Sequence, residues 1–163
     1  MKKSLFTFPL IALILFSQTP LAFSQEIHSP FKTDYTVIYY TQCDELNDFL
    51  WKIGNIAPSC GSDVCLVKTR VDRIVERVED ILGIYPENFK VDIYLKTGYK
   101  EGEIALYSET TRTITIFVER VTDGVLAHEM AHALIHAYFK TSPSRNVQEI
   151  LCQYVDAYLW KDY

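Results

Sequence analysis

No basic run occurs anywhere in the 163 residues, and 16 lysines and arginines are outnumbered by 21 acids, for a formal charge of −5. A polyanionic partner would find no footprint on such a chain, so nucleic-acid binding is disfavoured. No heptad, collagen-like or solenoid period runs along the sequence, and no low-complexity tract interrupts it, which excludes fibres and repeat arrays. Disorder is excluded from the other direction, because 48% of the residues are hydrophobic and 13% aromatic. A membrane-spanning run is missing as well. Leu5 to Phe16, broken by Thr7 and Pro9, would make about 18 Å of helix against a hydrocarbon core of about 30 Å.

That short apolar stretch has another meaning. Lys2 and Lys3 precede it and the small residues of Ala22-Phe23-Ser24 follow it, which reads as a secretory signal peptide covering residues 1–24. Residues 25–163 are then expected to form one exported domain, periplasmic or secreted, without a membrane partner. It keeps all 21 acids against 14 lysines and arginines. All four cysteines, Cys43, Cys60, Cys65 and Cys152, lie in this part, and disulfides persist in exported compartments. Three pairings are possible. The short turn between Cys60 and Cys65 favours that pair and leaves Cys43 for Cys152. None of the spacings is that of a CxxC pair, so a cysteine zinc site is disfavoured.

The remainder reads as alternating strands and helices. Thr36 to Tyr40 is β-branched and aromatic, a strand, and Asp44 to Ile53 a short helix. Val67, Val71, Ile74, Val75, Val78, Ile81 and Leu82 recur at three- and four-residue spacing, predicting an amphipathic helix over Val64 to Leu82 that ends at Gly83. A strand follows at Lys90 to Lys96. Ile104 to Tyr107 and the alternating Arg112 to Val118 then form a hairpin. Thr122 or Asp123 caps a helix from Gly124 to Phe139, and a last helix runs from about Asn146 to Trp160. The fold class expected is α+β, a small antiparallel or mixed sheet packed on helices.

Within the helix after the hairpin stands His128-Glu129-Met130-Ala131-His132, an HExxH. Residues four apart share a helix face, so two imidazoles can reach one ion while Glu129 stands where it could take a proton from a metal-bound water. Around the motif the helix is largely apolar, and polar groups embedded there need a partner. Hydrolytic zinc takes a third protein ligand and keeps an open position. His136 is about 12 Å in rise from His128, too far to join one ion, and is expected as a packed or supporting residue. His28 lies in the N-terminal tail. The first carboxylate downstream of His132 is Glu149, which an antiparallel last helix would present to the motif. Glu149 is therefore the expected third ligand, against the alternative that Asn146-x-x-Glu149 is a capping box. Tyr154 and Tyr158 are candidates to stabilise the oxyanion, Tyr154 being preferred.

Taken together, the HExxH helix, the downstream glutamate, and Ala105-Leu106-Tyr107 with Arg112-Thr113-Ile114-Thr115-Ile116 make the chain resemble the gluzincin metallopeptidases, in particular the small peptidase MA-like or minigluzincin type. The resemblance covers roughly Tyr35 to Trp160. It implies a zincin-like domain in which His128, His132 and Glu149 bind one Zn²⁺, Glu129 acts as general base and acid, and Arg112 to Val118 is the sheet edge along which a peptide or protein substrate docks. The segment Val147-Gln148-Glu149-Ile150-Leu151 lacks the Asn-Glu or Glu-Gly pairing of that family's helix. Gln153 also stands where some relatives carry an acidic partner, a part expected here of Asp156. Two other readings compete: a zinc-binding but catalytically silent interaction domain, and an exported disulfide-bonded toxin or inhibitor with an incidental HExxH.

Overall fold

The computed structural model of the chain describes residues 30–54, 64–98 and 102–161, without the side chains of 64–67. The expected signal peptide and His28 lie outside these residues. Among the described residues no helix is long and apolar enough to cross a membrane.

The domain is α+β, with a mixed five-stranded sheet and four helices. The strands are β1 (Phe31–Lys32), β2 (Thr36–Tyr39), β3 (Val91–Lys96), β4 (Ala105–Ser108) and β5 (Thr113–Phe117). The helices are α1 (Cys43–Gly54), α2 (Val64–Leu82), α3 (Asp123–Tyr138) and α4 (Arg145–Tyr158). Sheet order is β1-β2-β3-β5-β4. β2, β3 and β5 run parallel, while β1 and β4 lie antiparallel at the two edges. Alternation sets the buried face: Ile38, Val91, Ile93, Leu95, Ile114 and Ile116 are buried, and Val37, Tyr39, Tyr94, Thr115 and Phe117 between them are half-exposed. One covered face and one open face is what period-2 patterning produces.

The sheet order corrects one expectation. Residues 112–118 do not form the edge, because β5 is bonded on both sides, to β3 and to β4. The edge strand is β4. Leaving β3, the chain passes outward to β4 and turns back into the gap, so the second strand of the hairpin takes the inner place. That turn closes through Arg112, whose N–H donates to Ser108 O and whose φ is +55°.

α3 is the central helix, packed on α1, α2, α4 and the β4–β5 hairpin. Leu126, Ala127, Met130, Ala131, Ala133, Leu134 and Ile135 are all buried. A helix apolar on most sides belongs in the middle of the helical layer. Its start is fixed by Thr122, whose Oγ1 accepts from Val125 N–H at 3.2 Å. α2 ends where Gly83, at φ +64°, lets the chain leave the helix with its N–H donated to Glu79 O. α4 returns antiparallel to α3 and buries Gln148, Cys152 and Val155, with Leu159 buried just past its end.

The cysteines also depart from expectation. Cys43 is disulfide-bonded, but Cys152 is a free, buried thiol, so Cys43 does not pair with Cys152. The reason is the helix register: Cys152 faces inward toward α3, within 4.8 Å of the imidazoles of His128 and His132, while Cys43 opens α1. The expected bridge between Cys60 and Cys65 falls outside the described side chains.

Candidate metal centre

Two imidazoles one turn apart on α3 stand edge to face, their ring centroids 5.2 Å apart. What each does with its Nδ1 decides what its Nε2 can do. His128 Nδ1 lies 2.9 Å from Asp156 Oδ2. An ionised carboxylate only accepts, so Nδ1 carries a proton, and in the neutral imidazole Nε2 is then the nitrogen with the lone pair. His132 Nδ1 lies 3.3 Å from Gln148 Oε1. The same conclusion follows there by counting hydrogens, since Gln148 Nε2 donates to Glu109 Oε1 at 3.1 Å and to Pro143 O at 3.0 Å. With both amide hydrogens committed, Gln148 Oε1 is left to accept, and His132 Nδ1 must donate. Gln148 is buried, and its amide is satisfied at every position in use.

The two Nε2 atoms converge on Glu149. His128 Nε2 is 3.7 Å from Glu149 Oε2, and His132 Nε2 is 3.7 Å from Glu149 Oε1. In their neutral forms the two imidazoles turn Nε2 lone pairs toward the same carboxylate, a donor set that could hold a cation. Ligand atoms about 2.0–2.1 Å from a tetrahedral zinc are separated by about 3.4 Å, a few tenths of an ångström less than each of these two separations. The capping-box alternative for Glu149 does not form: Ser144 is the N-cap of α4, with no side-chain cap bond, and Arg145 opens the helix. From the buried side, Cys152 completes with His128 and His132 a second grouping able to hold a metal ion. Burial pushes the Cys152 thiol up to about 12, with Glu149, Glu129 and Asp156 adding to the effect, which keeps it protonated unless an ion displaces the proton.

Glu129 sits beside this centre. Its Oε2 accepts the N–H of Tyr107 on β4 at 2.6 Å. Burial raises the Glu129 carboxyl above the usual range, while the Tyr107 N–H and then the two histidines oppose the rise. Tyr107 is anchored in turn, its hydroxyl 2.9 Å from His136 Nδ1. His136 thus lies away from the other two histidines and supports the edge strand.

Around the centre lie two cavities that share Ala105, His128 and Glu129. The larger, about 610 Å³, runs toward Glu109, Ser142, Pro143 and Arg145. The smaller, about 400 Å³, is walled by Gly102, Ile104, Thr122, Gly124 and Val125, with Asp156 at one side. Tyr154 lines neither. Five residues beyond Glu149 it stands on the opposite face of α4, exposed, its ring 4.4 Å from that of Tyr158. Helix geometry excludes both tyrosines from the site, because the face that carries Glu149, Cys152 and Asp156 points the other way.

His128, Glu129, His132, Glu149 and Asp156 are thus brought together, and Tyr154 is not. Gln148, Glu109, Tyr107 and Arg145 are additions that no motif marks. Tyr107 and Gln148 left a trace in the sequence, the one within Ala105-Leu106-Tyr107 and the other as the neighbour of the glutamate. No family model, curated protein or solved structure matches the chain.

Proposed function

We propose that the domain is an exported zinc-dependent metallopeptidase of zincin-like build. The observation that carries this reading is the convergence of the His128 and His132 Nε2 atoms on Glu149, each at 3.7 Å, with Glu129 beside them. His128, His132 and Glu149 would hold one Zn²⁺. When bound, the ion would lower the pKa of a water toward 7 and polarise the carbonyl to be cleaved.

The chain's own groups supply the rest. Glu129, its carboxyl raised by burial, takes the proton of the attacking water and passes it to the leaving amine. The Tyr107 N–H fixes the Glu129 carboxylate in place during both transfers. Asp156 and Gln148 hold the two imidazoles in the tautomer that offers Nε2. Edge strand β4 gives an extended peptide a surface to pair with. Since Phe117 N–H donates to Ile104 O and Tyr107 N–H donates to Glu129, the alternate residues Ala105 and Tyr107 turn their backbone toward the cleft.

A competing reading, a zinc-binding domain without catalysis, leaves Glu129 only its bond to the Tyr107 N–H. The test separates them. The protein should retain about one zinc per chain by elemental mass spectrometry, Glu149→Ala should retain far less, and Glu129→Gln should retain zinc and lose peptide hydrolysis. Zinc-loaded protein that hydrolyses no peptide in a library would favour the silent domain; hydrolysis surviving in Glu129→Gln would remove the mechanism.

A further inference from the structure

Peptide hydrolysis places negative charge on the carbonyl oxygen as water adds, and the site needs a donor aimed at it. The residues lining the larger cavity offer few. The Tyr107 hydroxyl is engaged with His136 and its proton is held tightly, the phenol being pushed up to about 12 by burial. Both amide hydrogens of Gln148 are committed to Glu109 and Pro143. Ser142 offers a neutral hydroxyl. Arg145 is the one cation of the lining.

Three features of Arg145 bear on that part. Its Nε lies 3.6 Å from Glu149 Oε1, the same oxygen that lies 3.7 Å from His132 Nε2, so the guanidinium stands on the rim beside the reacting position. Its side chain is 86% exposed and otherwise unengaged, which leaves the five-donor fork free to turn into the cavity. It also opens α4, a helix with no acidic residue in its first turn. Cations are disfavoured at that end by the helix dipole. The i,i+4 pairing with Glu149 offsets part of that cost.

We infer that Arg145 is a catalytic residue, donating to the carbonyl oxygen as it becomes negative, the part that Tyr154 cannot reach. The inference rests on the peptidase reading. No bond to Arg145 forms or breaks; the guanidinium stays protonated throughout, and the proton of the water goes to the amine through Glu129.

The experiment compares wild type, Arg145→Lys and Arg145→Ala in the zinc-loaded protein with two probes. One is a phosphinic pseudopeptide, N-acetylated and C-amidated, whose tetrahedral anion imitates the charged carbon centre; the other is acetohydroxamate, which takes the metal alone. Arg145→Ala should weaken the phosphinic probe more than about tenfold and leave acetohydroxamate unchanged, with partial recovery in Arg145→Lys. On the best library peptide, kcat should fall about 10- to 100-fold with KM changed less than about threefold, somewhat below the loss from a fully enclosed donor. Equal binding of the phosphinic probe to all three proteins overturns the inference and leaves the peptidase reading standing. A loss confined to KM, and only for peptides with an acidic side chain, makes Arg145 a specificity residue and likewise overturns it. Binding of neither probe to wild type removes the hydrolytic centre itself, and the role of Arg145 with it.

Discussion

Gln148 shows how much one neutral side chain fixes at this site. It joins three stretches of chain: the β4–β5 turn through Glu109, the α3–α4 connection through Pro143, and α3 through His132. Its orientation follows from those partners, and the tautomer of His132 follows from its orientation. Gln148→Leu, close in volume but without polar atoms, should leave the His132 ring unoriented and weaken zinc retention by about 10- to 100-fold against a chelator series. Retention equal to wild type would mean that packing alone positions His132. HExxH marked the two histidines and the glutamate between them. The sequence marked Gln148 only as the neighbour of Glu149, because a glutamine acquires its role here through atoms 5, 16 and 39 positions away. Tyr154 failed for a related reason: choosing it required knowing which face of α4 is covered.

At the scale of the element, α3 is held at its start by one side chain. Thr122 Oγ1 satisfies the Val125 N–H, and Thr122→Ala should lower unfolding free energy by about 1 kcal/mol by urea titration. Zinc stoichiometry should persist, because His128 stands about one and a half turns into the helix. Loss of zinc as well would show that the site depends on the cap and not only on the packed middle of α3. Element identities were legible: period-2 alternation gave β5, three- and four-residue spacing gave α2, and the polar turn after Phe139 gave the break before α4. β1, two residues long, was not legible, since two residues carry no period. The edge position of β4 was equally hidden, because alternation fixes which face of a strand is buried but says nothing about its neighbours.

For the whole molecule, burial of titratable groups against the helical layer sets a pH dependence. The Cys152 thiol is raised from 9.0 to about 12 by burial, with carboxylates adding, and the Tyr107 phenol from 10.0 to about 12. Above pH 9 the unfolded chain releases the Cys152 proton that the folded chain keeps. The unfolded state then binds fewer protons, and stability falls as pH rises from about 9 toward 12. Urea unfolding of the chelator-treated protein at pH 8 and pH 10 should show that decline, and Cys152→Ala should flatten it relative to its own lower baseline. A slope unchanged in the variant would assign the decline to the tyrosines.

What the sequence determined by itself is whatever depends on neighbours close along the chain: the α+β pattern, the helix bearing His128, Glu129 and His132, and a following helix able to return with Glu149. A turn of helix or a pleat of strand enforces these locally. The tertiary structure alone decided what depends on register between distant elements: that β4 rather than β5 is the edge, that Cys152 lies under the imidazoles rather than bonded to Cys43, that Asp156 and Gln148 hold the histidine rings, and that Arg145 rather than Tyr154 faces the cleft. The first turns on strand order, and the other three on the rotation of α4 against α3. A rotation of half a turn about α4 would reverse the last three without changing a single local preference.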